Sequence, residues 1–585
     1  MPDRTVFTVL EETVKKYGDA AALHQPIGTK RERRYRAYSW NEWLESSREI
    51  ALGLRALGLA KSEIVCILSQ TRAEFYLADL GVMGAGGVSA ALYTAYPVAE
   101  QAQMIRTLEP RFLFVEEPGA LSELAQNGTL PDHVILLTGE QDGALSLDAL
   151  RNLGQDLMKR DAMAFARMQE ELSPKDSAIL YLTSGATGEP KMGLTSHAAI
   201  LANIDMAPEV LPIGPEDSTL VFLPSAHIAQ RIVLELVPMR MGTPVWFSES
   251  LGRLPTELKT IRPTLFLAPP RVWERMYASI LNELRKRPAF AKKLFQKALK
   301  LGMKAARIRT AGQSLPAWMR LPLKLADKLV FSKVRERLGG RIRIAASGAA
   351  PLAKELAEFF AAINMPLVEG YGLTEAGVIC LNPLDRPKPG SIGRVLPGIE
   401  IRLAEDGELQ VRTPCIFKGY YRDEAATRSV MSEGGWFATG DIAEVDSEGY
   451  VYITGRKKEL IVSSNGKKIY PARIESLFKT EPMVSQVLLI GDKQPYVTAL
   501  LTLNRAQLEN LNGMEPAEAV KGVIARVNKQ LADFERIRRF KVLDREFSIE
   551  HGELTPTMKI RRSRVLENHK HLVSELYLGK EAFAE

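Results

Sequence analysis

Four short segments of this chain carry residues that could handle a phosphate, a sugar hydroxyl or a metal ion. The first reads Tyr181-Leu182-Thr183-Ser184-Gly185-Ala186-Thr187-Gly188-Glu189-Pro190-Lys191 and includes the end of the apolar run 178–182. Glycines mixed with hydroxyls make a loop whose N–H groups can wrap phosphate oxygens, and a lysine adds charge. No glycine precedes Lys191 and no Ser or Thr follows it, so this is not a G-x-x-x-x-G-K-S/T phosphate loop. On spacing alone it is either a phosphate cradle or a polar surface turn. The second segment, Glu369-Gly370-Tyr371-Gly372-Leu373-Thr374-Glu375, follows the apolar run 365–368. A tyrosine between glycines can lie flat on a base, a threonine can bond a phosphate, and a glutamate can hold Mg²⁺. The alternative is a Gly-rich turn with a half-buried tyrosine. The third, Trp436-Phe437-Ala438-Thr439-Gly440-Asp441 with Gly455-Arg456 behind it, offers a carboxylate that could accept both hydroxyls of a ribose or simply cap a turn. The fourth, 552–562, holds Lys559 behind Pro556 on a loop, either as a reach-in charge or as a solvated surface lysine.

These segments need a frame. Short apolar runs recur at 64–68, 112–115, 133–137, 220–222, 264–267 and 342–346, between helical stretches. Continuous apolar strands alternating with amphipathic helices predict mostly parallel sheets covered on both faces. From about residue 393 the texture changes: runs at 400–403, 408–411, 442–445 and 450–453 are separated by Asp-Gly or Glu-Gly turns, which predicts antiparallel hairpins in a small β-barrel-like subdomain. The charged cluster 456–459 then precedes another α/β pattern. The expected fold is α/β, with a large N-terminal domain at 1–455 and a small mobile C-terminal domain at 456–585.

A chain of 585 residues predicts several domains, and 46% apolar with 25% charged residues excludes a disordered, collagen-like or coiled-coil protein. Cys66, Cys380 and Cys415 are too few and scattered for a disulfide scaffold and fit a reducing compartment. Residues 1–20 include the charged Asp3, Glu11, Glu12, Lys15 and Lys16 and no long apolar core, so they do not read as a signal peptide. The uncharged run 80–99 contains four glycines and Pro97, and reads as a buried strand with its turns rather than a membrane span. The net charge is +7. The stretch 285–341 alone carries 17 Lys or Arg against Asp327 and Glu336, so the remainder is mildly acidic and nucleic acid is not an expected partner.

Taken together and in this order, the four segments resemble the adenylate-forming superfamily of acyl-CoA synthetases, peptide-synthetase adenylation domains and luciferases. The likeness spans essentially the whole chain and includes 223–227, 347–352 and 464–471. Within the superfamily, 326–333 with 338–341, and Leu554-Thr555-Pro556-Thr557 ahead of Lys559, are similar to long-chain fatty acyl-CoA synthetases. The resemblance implies a carboxylate attacking the α-phosphate of ATP to give acyl-adenylate and pyrophosphate. A thiol, that of CoA, then attacks the acyl carbon and expels AMP. It implies that Thr183, Ser184, Gly185, Ala186, Thr187, Gly188 and Lys191 hold the β- and γ-phosphates. Tyr371 would stack on adenine in a pocket shared with Gly348, Ala349, Ala350, Glu369, Gly370 and Gly372. Thr374 would meet the α-phosphate, Glu375 the Mg²⁺, and Asp441 the ribose with Arg456 nearby. Lys559 would bridge the phosphate and carboxylate oxygens in the transition state. The family's hinge falls on Lys458, about which the C-terminal domain would swing, bringing Gly466 and Lys468 to the thiol step. His227 matches a gate to the acyl pocket, or is a packed core histidine.

The loop departs from the family pattern. Ala186 stands where a hydroxyl is usual, Met192 where a glycine follows the lysine, and Leu182 where a tyrosine precedes the threonine. Retained adenylation is expected, because Ser184, Thr187 and Lys191 survive. The expected activity is fatty acid–CoA ligase. A ligase loading acyl carrier protein is the runner-up, a luciferase-like oxygenase has no positive support, and a nucleotide- or acyl-binding pseudo-ligase is disfavoured by Glu375, Asp441 and Lys559. The chain ends at Glu585 without a carrier-protein or reductase segment, which favours CoA as acceptor. Some family members are homodimers, and the sequence leaves the oligomeric state open. Within 285–341, Ala291, Leu294, Phe295, Ala298, Leu299 and Ala306 recur at helical spacing beside Lys292, Lys293, Lys297, Lys300, Lys304 and Arg307. This is either a basic amphipathic helix lying on an anionic membrane or a solvated charged face packed on the large domain. The expected location is cytoplasmic, with peripheral contact on the inner face of a membrane through 285–341.

Overall fold

The computed structural model describes residues 3–28, 32–128, 130–183, 191–504, 515–555 and 557–578. Two large mixed sheets organise the first 395 or so residues. In one, Ser177–Thr183, Val88–Leu92, Ile64–Leu68, Phe112–Val115, His133–Leu136 and Leu145–Ser146 run parallel in that spatial order. Lys191–Ser196 and then Gly419–Tyr420 extend it antiparallel at one edge. In the other, Leu367–Leu373, Ile344–Ser347, Leu265–Ala268, Thr219–Val221, Val245–Phe247 and Ala21–Ile27 are parallel, flanked by antiparallel strands at both ends. The strand Ile64–Leu68, Ile-Val-Cys-Ile-Leu, is buried at every position, which is why its sequence shows no alternation.

The run 80–99 divides differently from the single strand expected. It begins within the helix Ala73–Gly84, passes through the strand Val88–Leu92 and enters the helix Val98–Leu108. The first of these helices is buried on all sides, so its apolarity has no 3.6-residue period to betray it. Among the described residues, no helix is long and apolar enough to cross a membrane.

The hairpin region forms as expected, but not as a barrel. Glu400–Leu403, Glu408–Arg412, Phe437–Val445 and Val451–Arg456 make an open antiparallel sheet of four strands, with the first and last at its two edges. Beyond it, Val484–Ile490, Val497–Leu503 and Ile537–Leu543 form a three-stranded sheet covered by the helices Pro471–Leu477 and Pro516–Asn528. This smaller unit has its own cores, one around Leu489, Leu501 and Ile524 and another around Leu488, Leu500 and Val565.

For the helix Ala289–Thr310 the structure decides between the two readings, in favour of a charged face packed on the large unit. Phe295 and Ala298 are buried with Gly302 and Ala305, and the helix packs on Lys354–Ala362 so closely that a Cβ on Gly302 would stand 2.2 Å from the Ala362 carbonyl oxygen. Its apolar stripe belongs to the core of the large unit, leaving no apolar face of that helix for a membrane apart from Phe290 and Leu294 at its start.

Candidate active site

The antiparallel pairing of Phe437–Val445 with Val451–Arg456 puts Asp441 opposite Arg456. Arg456 Nε lies 3.0 Å from Asp441 Oδ1, and the Tyr371 hydroxyl donates to Oδ2 at 2.6 Å. Asp441 is 2% exposed, so these contacts hold a carboxylate that would otherwise be costly to bury. Burial, then the Asp441 charge, pushes the Tyr371 phenol well above its ordinary value and keeps it a donor. Tyr371 stands on Leu367–Leu373, at a bulge where Gly372 is required: a Cβ there would stand 2.5 Å from the Gly377 carbonyl oxygen.

The loop after Ile344–Ser347 comes against the same strand. A Cβ on Gly348 would stand 3.4 Å from the Gly370 carbonyl oxygen, and Ala349 takes a left-handed φ of 68°. Glu369 turns its carboxylate inward. It accepts from the Leu352 N–H at 3.1 Å, and burial pushes it up to about 8 against that bond and the charge of Lys479. Its evident task is to pin the 348–352 loop to the strand.

A third element brings in Lys191. Thr183 pairs across the strands with Lys191 and donates to its carbonyl at 3.1 Å. Lys191 Nζ lies 4.5 Å from the centre of the Tyr420 ring, and the Tyr420 hydroxyl donates to Glu375 Oε1 at 2.8 Å. Thr374 lies against Gly193 on the strand that Lys191 begins. Ser184, Gly185, Ala186, Thr187 and Gly188 lie outside the described residues. Strand alternation explains the displaced tyrosine: Tyr181 is buried and stacks its ring 5.7 Å from Arg231 in the core, on the face opposite Leu182.

Lys559 arrives from the smaller unit at the end of a tight turn. Thr555 donates its N–H to the Lys559 carbonyl at 2.8 Å, Lys559 N–H bonds Thr555 Oγ1 at 3.1 Å, and Met558 takes φ 64°. The turn rests on Glu553, which is fully buried. Burial would raise that carboxylate, but Arg545, Asn568 and His569 outweigh it and hold it near 2. Contacts tie the unit to the large one: Arg561 donates to the Tyr96 hydroxyl at 3.0 Å, Arg271 to the Ser485 carbonyl at 2.8 Å, and Lys479 to the Pro351 carbonyl.

The Lys559 ammonium thus lies within electrostatic reach of Arg456, Asp441, Glu459 and Glu375. The residue keeps solvent access but is crowded by protein, and this partial desolvation, then Arg456, lowers it to about 8. His227 is half-buried rather than a packed core residue, and accepts from the Ala229 N–H at 3.1 Å. Burial, then the Lys559 charge, holds it neutral, near 3.

The structure therefore joins Tyr371, Asp441 and Arg456 by direct contacts and Lys191 to Glu375 through Tyr420, with Lys559 within electrostatic reach of Asp441, Arg456, Glu375 and His227. Lys458 lies apart, exposed in the single turn Lys457–Glu459 between the two units. Gly466 and Lys468 lie on an exposed hairpin, without a hydrogen bond or ion pair to the Asp441 cluster. Tyr420 and Glu553 escaped the sequence reading, since nothing in a lone Gly-Tyr or Gly-Glu pair announces them. Among the described residues, no three His, Cys, Asp or Glu side chains gather to hold a metal. A single carboxylate such as Glu375 suits an ion held mainly by phosphate oxygens and water, which is the habit of Mg²⁺.

Comparison with known proteins bears on the family and the fold. A family model described as AMP-binding enzyme matches residues 10–421, and one described as AMP-binding enzyme C-terminal domain matches 458–581. Long-chain-fatty-acid–CoA ligase FadD15 of Mycobacterium bovis is 31% identical over 554 residues, covering 91% of this chain and 90% of its own. Long-chain-fatty-acid–CoA ligase ACSBG2 of Rattus norvegicus is 30% identical, covering 98% and 93%. Among solved structures, the adenylation domain of a carboxylate reductase from Mycobacterium chelonae superposes with a TM-score of 0.77 at 22% identity, over 99% of this chain and 92% of that one. ATP-bound MatB from Rhodopseudomonas palustris gives 0.69 at 22% identity, over 97% and 99%. These folds and matches, spanning nearly the whole chain, make this protein an enzyme of the AMP-binding ligase family.

Proposed function

We propose that the chain activates a long-chain fatty acid to its CoA thioester in two steps within one cleft. In the first, a carboxylate oxygen bonds the α-phosphorus of ATP, the bond to pyrophosphate breaks, and acyl-adenylate remains. In the second, the CoA sulfur bonds the acyl carbon, its proton is lost to solvent, and AMP leaves. The observation that carries this reading is the placement of Lys559. A cation delivered from the smaller unit on a closed turn lies within electrostatic reach of Asp441, Arg456, Glu375 and neutral His227, where it would offset negative charge growing between phosphate and carboxylate.

Asp441 would take the ribose hydroxyls, with Arg456 and Tyr371 fixing its orientation. Tyr371, Gly348, Ala349, Ala350, Gly370 and Gly372 would form the adenine pocket. Thr374 would meet the α-phosphate, and Thr183, Lys191 and 184–188 the outer phosphates. A nucleotide-borne Mg²⁺ would be held by Glu375 and would neutralise phosphate charge. His227, uncharged, would border the acyl chain. The boundary between the units would fall at 455/456, with Lys458 as the hinge that withdraws Lys559 and brings Gly466 and Lys468 to the thiol step.

The test is a panel of C8–C18 acids with ATP, Mg²⁺ and CoA, scored separately for pyrophosphate exchange and thioester. Exchange with thioester on the longer acids is the expected result. Exchange without thioester would move the acceptor from CoA to a carrier protein, and no exchange with any acid would overturn the reading.

A further inference from the structure

The helix after the one that buries its stripe does the opposite. In Ala317–Ala326 and the π-turn Asp327–Phe331 that continues it, Met319 and Phe331 anchor one side in the protein. The other side carries Trp318, Leu321, Leu325 and Leu329, each between 51% and 66% exposed. Their spacing of three, four and four places them on a single face, a stripe about 16 Å long at 1.5 Å per residue. Phe290 and Leu294, at the start of the neighbouring helix, are exposed as well.

The stripe is edged with charge. Arg320, Lys324 and Lys328 are exposed and have no ion-pair partner among the described residues. Lys304 leans over the Trp318 ring at 5.1 Å. Asp327, one of only two acids in 285–341, is already paired with Arg335 at 2.7 Å. An indole and three leucines on one face with unpaired cations at the edges match a helix lying in a lipid interface, where aromatic rings sit at headgroup depth and basic side chains reach phosphate. A second copy of the chain is a poor occupant, because self-pairing would press two strongly basic segments together.

We propose that this face docks on an anionic bilayer, with Trp318, Leu321, Leu325 and Leu329 inserted and Arg320, Lys324 and Lys328 on lipid phosphates. The proposal stands apart from the acyl-CoA reading, since it concerns a surface and not the cleft.

The full chain should float with vesicles of phosphatidylcholine containing about one third phosphatidylglycerol, detach as salt rises, and bind phosphatidylcholine alone far more weakly. Replacing Arg320, Lys324 and Lys328 together by Gln should weaken partitioning about a hundredfold. Trp318→Ser with Leu325→Ser should abolish insertion, read by quenchers placed in the acyl region. All of these positions are exposed, and an unchanged melting temperature confirms that the variants fold. Absence of binding, binding indifferent to lipid charge, or wild-type binding by either variant would overturn the proposal. So would a dimer in solution that the Trp318/Leu325 variant dissolves.

Discussion

Asp441 and Arg456 face each other on neighbouring strands, so backbone register fixes their separation, whereas Lys559 reaches the same place from another unit. Its position depends on a tight turn and on docking contacts such as Arg561 with Tyr96. The first pair is structural as well as chemical: the half-exposed Arg456 compensates the burial of Asp441. Lys559 forms no ion pair among the described residues, is exposed, and is held below its ordinary pKa by the crowd around it. Groups built into a sheet should affect folding and binding when altered. A group delivered by docking should affect only the step that needs it.

Substitutions can break or sharpen that contrast. Lys559→Ala should cut pyrophosphate exchange about a thousandfold, the scale of losing a well-placed donor to developing charge. ATP binding and melting temperature should stay as they were, and thioester formation from supplied acyl-adenylate should persist. A large fall in melting temperature would break the contrast. Asp441→Asn should raise the KM for ATP by about ten- to a hundredfold, because bonds to a charged group contribute about 1.5–3 kcal/mol. It should also lower the melting temperature, since Arg456 loses its counter-ion; an unchanged melting temperature would contradict the structural half of its role.

Acidity gives a third test. The Lys559 ammonium is the working form, present below about 8 and lost above it. Exchange by the free enzyme should therefore fall about tenfold per unit at higher pH, and Lys559→Arg should move that limb upward. The smallest effect belongs to docking. Arg561→Ala removes a bond to the Tyr96 hydroxyl, worth about 1 kcal/mol, so exchange should drop about fivefold with thioester formation from acyl-adenylate unchanged. Equal losses in both half-reactions would show that the contact serves stability rather than docking.

Much of the frame was legible in the chain. Runs such as 64–68 and 112–115 are strands at those boundaries because burial on both faces leaves an unbroken apolar signature. Asp441 and Arg456 stood out through the turn glycines around them. Tyr420 did not, because it enters the site only when Gly419–Tyr420 pairs with Gly193 and Leu194, far away in sequence. The hairpins were readable but the open edge of their sheet was not, as strand count and turn type do not state closure. The basic segment is the sharpest case. Ala289–Thr310 and Ala317–Ala326 are both cationic and amphipathic. Which stripe is covered depends on the helix Lys354–Ala362 arriving against Gly302.

The Lys559 turn has one more consequence. Its closing bonds, from Thr555 to Lys559 and from Arg561 N–H to the Glu553 carbonyl, all lie within 553–561. Met558 holds a backbone conformation that costs a non-glycine residue about 1 kcal/mol. The Arg561 side chain reaches Tyr96 of the large unit, but none of these closing bonds does. If the smaller unit swings, the lysine travels as a finished tip, and its ordering cost falls once, at folding, instead of at every catalytic cycle. Met558→Gly would relieve the strain and soften the tip, a trade of catalytic stiffness for stability at a single residue.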